Sequence, residues 1–134
     1  MQIKRVEALA ETKMRRVQVP KEIRIWAKQK IENDERSFAQ KARITDVFIH
    51  LIRLGIKRKR FIVFKNKYVQ TRITWPTNRV KIPMDVYRQL ELIRTDLAIG
   101  KLKKEGEATV DAWNVLMCVL EEGYKESTRI KPGE

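Results

Sequence analysis

The chain has 134 residues, of which 43% are apolar, so it is long enough for one folded domain and too apolar for a disordered protein. Its 30 Lys and Arg outnumber 17 Asp and Glu, and the net charge of +13 predicts a polyanionic partner, either nucleic acid or an anionic membrane surface. The membrane is the weaker alternative, because no apolar run approaches the roughly 18 residues of a spanning helix. The first residues contain no apolar signal-peptide core, so we expect a cytoplasmic protein.

The positive charge is concentrated in the first half of the chain. Residues 1–67 contain 19 Lys and Arg against 7 Asp and Glu, a net charge of +12. Residues 68–134 contain 11 against 10, a net charge of +1. We therefore expect a polyanion to contact mainly the first half.

A five-residue phrase occurs twice, as RVQVP at 16–20 and as RVKIP at 79–83. In each copy, Val or Ile alternates with a long polar side chain, which predicts a short strand with one apolar and one polar face. The proline that ends each phrase suits the first turn of a helix. The sequence therefore predicts a strand followed by a helix, twice.

Each strand needs a partner, because an isolated extended segment leaves its backbone groups unpaired. Pairing the two phrases antiparallel gives a two-stranded ribbon with apolar side chains on one face. A ribbon of this kind fits the major groove of DNA, where Arg and Lys donate to guanine and Gln pairs with adenine. The candidate base-contacting residues on the polar face are Arg16, Gln18, Arg79 and Lys81, flanked by Met14 and Thr77.

Two helices are predicted after the first strand. Residues 21–32 have apolar side chains at spacings of four, and residues 43–57 have the denser pattern of a well-buried helix. Gly55, followed by the basic run at 57–60, is expected to mark the end of the second helix. Before the first strand, residues 1–12 could form either a short helix or a loose basic arm.

The second half repeats this order after residues 61–76, which are predicted to form a hairpin or an extended connector. A third helix follows Pro83, and residues 100–107 are expected to form a polar turn bounded by glycines. The last helix is predicted from about Asp111, its candidate cap together with Thr109, to Tyr124. Gly123 stands where Gly55 stood in the first half, and residues 125–134 are expected to be a frayed tail.

The order strand, helix, turn, helix, found twice, resembles the ribbon-helix-helix family of DNA-binding regulators, of the MetJ and Arc type. Residues 16–20 with 45–55, and 79–86 with 115–123, carry the resemblance. The tandem form is similar to regulators encoded by viruses and plasmids of hyperthermophilic archaea, and 35% charged residues suit a hot host. The resemblance implies a mostly α fold with a two-stranded antiparallel β-ribbon, in which a monomeric chain forms a tandem pseudo-dimer. The implied organisation is an arm (1–12), a first repeat (13–60), a linker (61–76), a second repeat (77–124) and a tail (125–134), with both repeats in one folded unit.

The resemblance also implies where the DNA backbone binds. In this family the second helix of each unit points its N-terminus at a phosphate, which backbone N–H groups can bind. The matching residues are Arg43, Ile44 and Thr45 in the first copy. The family usually has Ser or Thr at the cap and avoids an acid there, whereas the second copy has Asp111, so we expect the phosphate contact in the first copy.

The basic run Lys57, Arg58, Lys59 and Arg60 has two interpretations. It is either a nonspecific phosphate-contacting cluster or a cluster of charges that favours a helix C-terminus. The sequence leaves both open.

No residues point to catalysis or to a metal. His50 and Cys118 have no partners at metal-ligand spacing, and no group of residues resembles a catalytic site. We therefore expect no enzymatic activity, no cofactor and no bound metal.

The expected function is that of a sequence-specific double-stranded DNA-binding transcription regulator, most simply a repressor that occludes a promoter. If the protein is viral, it would act in the host cytoplasm. Two alternatives stay open: an antitoxin-type regulator that binds a partner protein, and a nonspecific architectural DNA- or RNA-binding protein. The operator, the sign of regulation and further association on DNA are left undetermined.

Overall fold

The computed structural model describes residues 3–7, 10–62, 75–105 and 111–129. Within them, four α-helices and one two-stranded antiparallel sheet confirm the expected fold class, mostly α with a β-ribbon. The elements in chain order are β1 (Thr12–Gln18), α1 (Lys21–Glu32), α2 (Ile44–Lys57), β2 (Thr77–Pro83), α3 (Met84–Glu105) and α4 (Ala112–Thr128), with a single 3-10 turn at Lys59–Phe61.

The two strands pair over seven residues each, with Arg16 directly opposite Arg79. Val17, Val80 and Ile82 point down from the ribbon and are fully buried in the core, as the alternation predicts. β1 differs from the prediction in its bounds, because it begins at Thr12 and ends before Val19 and Pro20. Pairing along the whole of β2, as far as Pro83, extends β1 backward to Thr12.

α2 and α4 form the principal helix pair of the core, and both bury most of their apolar residues. They cross at two glycines. A Cβ on Gly55 would lie 1.9 Å from the carbonyl oxygen of Val119, and a Cβ on Gly123 would lie 1.7 Å from that of Leu51. α2 ends at Lys57 as predicted, so Gly55 lies in its last turn, whereas α4 continues to Thr128, five residues past Gly123. The role of the two glycines is to let the two backbones touch.

The predicted bounds of the other helices are partly confirmed. α1 matches residues 21–32, and α2 begins at Ile44, one residue later than predicted. The polar turn predicted for 100–107 is wrong up to Glu105, because α3 continues through it; the run Lys101 to Glu105 consists of good helix formers.

The tail predicted from residue 125 is also helical as far as Thr128. The reason is tertiary: Tyr124 packs edge-on against Trp26 with ring centroids 5.7 Å apart, and its hydroxyl donates to Glu22 at 3.1 Å. These contacts fix the last turns of α4 against α1.

Residues 3–7, hereafter the N-terminal strap, lie outside any helix or strand and contact the turn between α1 and α2. Ile3 is buried in the core, and its carbonyl accepts from the Arg36 guanidinium at 2.9 Å. The Arg5 guanidinium donates to the carbonyl oxygens of Lys41 and Phe38. Of the two predicted conformations for residues 1–12, the described part of this segment is thus neither helical nor loose.

Most of the predicted connector, residues 63–74, lies outside the described residues, as does the end of the tail from residue 130. In the part of the chain that is described, no helix combines the length and apolarity needed to cross a bilayer.

We expect Gly55→Ala to destabilise the protein by about 1–3 kcal/mol, the usual cost of overpacking, because the added methyl group meets the backbone of α4. Urea unfolding monitored by circular dichroism measures this. Gln29→Ala, an exposed position within α1, is the control and should change stability by less than about 0.5 kcal/mol. Equal stabilities of the two variants would contradict the close crossing.

Candidate nucleic-acid interface

The six residues predicted to contact bases form three cross-strand pairs on one face of the ribbon. This set is hereafter the ribbon face. Antiparallel partners share a face of the sheet, so the alternation and the register agree. Five of the six side chains are exposed, and the exception is Gln18. The pairs are Met14 with Lys81, Arg16 with Arg79, and Gln18 with Thr77.

Gln18 is covered, with 8% of its surface exposed. Its Nε2 donates to the carbonyl oxygen of Trp75 at 3.3 Å, and Trp75 lies two residues before β2 begins. The strand pattern could not predict this hydrogen bond, because it joins residues 57 positions apart.

The centre of the ribbon face places two guanidinium groups opposite each other. Arg16 and Arg79 are both exposed, and like charges directly opposite on a sheet destabilise it. Lys81 adds a third exposed cation on the neighbouring pair. An anionic partner against this face would relieve the repulsion and offer acceptors to all three side chains.

Two further cations flank the ribbon and were missed by the sequence analysis. Lys13 and Arg15 lie over the ring of Tyr87, with their charged groups 5.4 and 4.9 Å from its centroid. Alternation assigns both to the core side of β1, but Tyr87 in α3 holds them at its edge. The sequence did contain a signal for these two cations, because positions 13 and 15 have basic residues where the alternation predicts apolar ones.

The predicted phosphate-contacting residues of the first copy lie beside the ribbon face. Arg43 is the N-cap of α2, and Thr45 is in its first turn. Both line a groove of about 370 Å³ together with Met14, Arg79 and Lys81. The candidate base contacts and the candidate phosphate contacts therefore share one groove. Ile44 turns its side chain toward the core, so only its backbone faces outward.

A buried carboxylate organises this helix terminus. The side chain of Asp46 accepts from the backbone N–H of Val6 at 2.9 Å, from the backbone N–H of Arg43 at 2.8 Å and from Arg43 Nε at 2.9 Å. Burial would raise the Asp46 pKa, but the hydrogen bonds from Arg43 and Val6 outweigh it and lower the pKa below its usual value. Asp46 thus joins the N-terminal strap to α2 and orients Arg43.

The corresponding terminus of α4 has the opposite charge. Asp111 caps α4 by accepting from the backbone N–H of Asn114 at 3.2 Å, which confirms the cap predicted there, and it is exposed. Trp113 in the same turn donates from Nε1 to the carbonyl oxygen of Arg16 at 3.2 Å. This turn therefore contacts β1 with an indole and presents a carboxylate to solvent.

The basic run at 57–60 lies at the other end of α2. A helix of 14 residues is about 20 Å long, so this run is far from the ribbon groove at the N-terminus. Arg58 Nε is 3.3 Å from a carboxylate oxygen of Glu122 and 3.2 Å from one of Glu126, both in α4. Arg58 therefore ties two helices together, whereas Lys57, Lys59 and Arg60 are exposed.

In the described part of the chain, no group of three or more His, Cys, Asp or Glu side chains could hold a metal ion. His50 lies on α2. Its pKa is lowered mainly by burial and further by the nearby positive charge of Lys57.

The comparisons with known proteins found no match: no protein-family model, no curated protein and no solved structure is similar to this chain.

We expect Asp46→Asn to cost about 1–3 kcal/mol of stability at pH 7, because the charge-assisted hydrogen bonds are lost. Since folding lowers the Asp46 pKa, its contribution is present above the unfolded value of about 4 and disappears as the pH falls through the folded value. Urea unfolding at pH 7 and near pH 2 tests this.

Glu32→Gln, the same kind of change at an exposed position, is the control and should have little effect at either pH. A difference between Asp46→Asn and the unchanged protein that stays constant down to the acid limit would argue against the Asp46 contacts.

Proposed function

We propose that this protein is a sequence-specific double-stranded DNA-binding transcription regulator that reads the major groove with the ribbon face. The observation that carries the proposal is the cross-strand arrangement of Arg16, Arg79 and Lys81, three exposed cations on one face of a two-stranded ribbon. Ribbons fit the major groove, and Arg and Lys donate to guanine O6 and N7 there. Binding at a promoter would exclude polymerase, so the simplest regulatory outcome is repression.

We further infer that the chain is a tandem ribbon-helix-helix pseudo-dimer, with a pseudo-two-fold axis between Arg16 and Arg79. The register supports it, because the pairing is symmetric about the central pair. A residue at a given distance before Arg16 pairs with the residue at the same distance after Arg79, and the reverse holds on the other side. The helix crossing supports it independently. Gly55 contacts Val119, and Gly123 contacts Leu51. Gly123 lies 68 positions after Gly55, and Val119 lies 68 positions after Leu51, so exchanging the two copies turns one contact into the other.

The proposed phosphate contacts surround the ribbon groove. Backbone N–H groups of Ile44 and Thr45, with the Arg43 guanidinium, would bind one phosphate at the N-terminus of α2. Lys13 and Arg15 would contact the backbone at the ribbon edge. We leave the run at 57–60 out of this set, because α2 carries it about 20 Å from the groove and Arg58 is held by two carboxylates.

Selection from a randomised duplex library at about 150 mM salt, followed by sequencing, tests sequence-specific binding. We expect a short enriched motif. Arg16→Ala should weaken binding to that motif by about 1–3 kcal/mol and relax discrimination at the contacted base pair. Lys28→Ala removes an exposed cation from α1 and is the matched control.

Each alternative function gives a different result in this selection. Retention of all duplexes without enrichment would favour an architectural protein, and equal losses for Arg16→Ala on motif and random DNA would argue against base reading. Absence of any retention would refute DNA binding and favour a partner protein.

The salt dependence of binding separates the two groups of surface cations. Lys13→Ala should weaken binding to all duplexes alike and reduce the slope of log K against log salt by about 1. The triple variant Lys57→Ala, Lys59→Ala, Arg60→Ala should leave the slope within error of the unchanged protein. A reduction in the triple variant would place a phosphate contact at the far end of α2.

A further inference from the structure

We propose that the protein binds a non-palindromic DNA site in one fixed orientation, with most discrimination in the half-site under one end of the ribbon. This inference rests on the proposed DNA-binding function. The ribbon has two ends: the Lys81 end, where residues 12–14 pair with 81–83, and the Gln18 end, where residues 17–18 pair with 77–78.

The first difference between the ends is on the ribbon face itself. Lys81 and Gln18 occupy equivalent positions of the two copies, 63 apart. Lys81 is exposed and can donate to a base, whereas Gln18 is buried and donates to the Trp75 carbonyl. The exposed side chain left at the Gln18 end is Thr77, which carries no charge.

The second difference is beneath the ribbon, where Arg24 of α1 and Tyr87 of α3 occupy equivalent positions. At the Lys81 end, the Tyr87 ring supports Lys13 and Arg15 on the strand, so both cations lie at the surface edge. At the Gln18 end the cation is on the helix. Arg24 donates to the carbonyl oxygen of Pro76 at 3.0 Å and to Asn78 Oδ1 at 2.7 Å, and it is half-buried. Both hydrogen bonds hold the Arg24 guanidinium against the protein itself.

The third difference is in the helices that flank the ribbon. Arg43 and Asp111 are the N-caps of α2 and α4 and occupy equivalent positions. Arg43 forms an ion pair with Asp46 in the same turn, so the α2 end is locally neutral, whereas Asp111 leaves the α4 end negative. The Arg43 side of α2 shares a groove with Lys81. By the pseudo-two-fold axis, Asp111 belongs to the Gln18 end, where an exposed carboxylate repels a phosphate.

All three differences favour the same end. The Lys81 end offers a base-reading cation, two edge cations and a helix cap whose Arg43 charge is balanced by Asp46. The Gln18 end offers an uncharged hydroxyl and a negative cap. A palindromic site presents identical half-sites, which this surface would hold with unequal strength. The preferred DNA site therefore has one half-site that Lys81 binds strongly and a second half-site, under Thr77, where base changes are tolerated. Such a site fixes the orientation of the protein.

The selection described above also tests this inference, with two matched variants of exposed ribbon residues, Lys81→Ala and Thr77→Ala. We expect an enriched motif without two-fold symmetry. Lys81→Ala should weaken binding to it by about 5- to 100-fold and relax base preference on one side of its centre. Thr77→Ala should change affinity by less than about 3-fold, at the low end of what a hydrogen-bond loss costs.

Asp111→Asn provides a second measurement that does not depend on base reading, because Asn is as good an N-cap as Asp and leaves α4 intact. It should strengthen binding to all duplexes, whereas Arg43→Gln should weaken it. A palindromic motif, with equal losses for Lys81→Ala and Thr77→Ala, would overturn the fixed orientation and leave the DNA-binding function standing. Absence of any duplex retention would instead overturn the proposed function itself.

Discussion

The backbone pairing of β1 with β2 is the constraint on which the rest of the structure depends. Among the described residues neither strand has another partner in the sheet, and an unpaired strand would leave its N–H and C=O groups without hydrogen bonds. A tight turn cannot join them, because α1, α2 and the connector separate them in the chain. The ribbon therefore depends on contacts between distant parts of the chain, and its short strands are stabilised by Val17, Val80 and Ile82 in the core beneath.

That core depends in turn on how closely α2 approaches α4. Gly55 and Gly123 bring each helix backbone into contact with the other, at the level of Val119 and Leu51. Close approach leaves room for one compact layer of side chains under the ribbon, with Phe48 fully buried in it. The glycines thus position the two helix N-termini beside the strands, although neither glycine lies near the candidate interface.

Charge repulsion lowers stability on the ribbon, whereas ion pairs stabilise the far end of α2. Arg16 faces Arg79 with no carboxylate on the ribbon face, whereas Arg58 at the far end of α2 is neutralised by Glu122 and Glu126. A repulsive pair at the centre of a sheet lowers its stability, and an anionic ligand of the kind proposed would offset that cost. The same contrast separates cations that hold the fold together from cations that are available to a partner.

The sequence by itself determined the two strands, their antiparallel pairing, the bounds of α1 and the choice of residues on the polar face. These features follow from local alternation, proline and helical periodicity, which act over a few residues. Tertiary structure decided that Gln18 is buried and donates to the Trp75 carbonyl, that Gly55 and Gly123 are crossing points, and that α3 and α4 continue past their predicted ends. Each of these depends on contacts between residues distant in the chain, where local periodicity carries no information and packing overrides propensity.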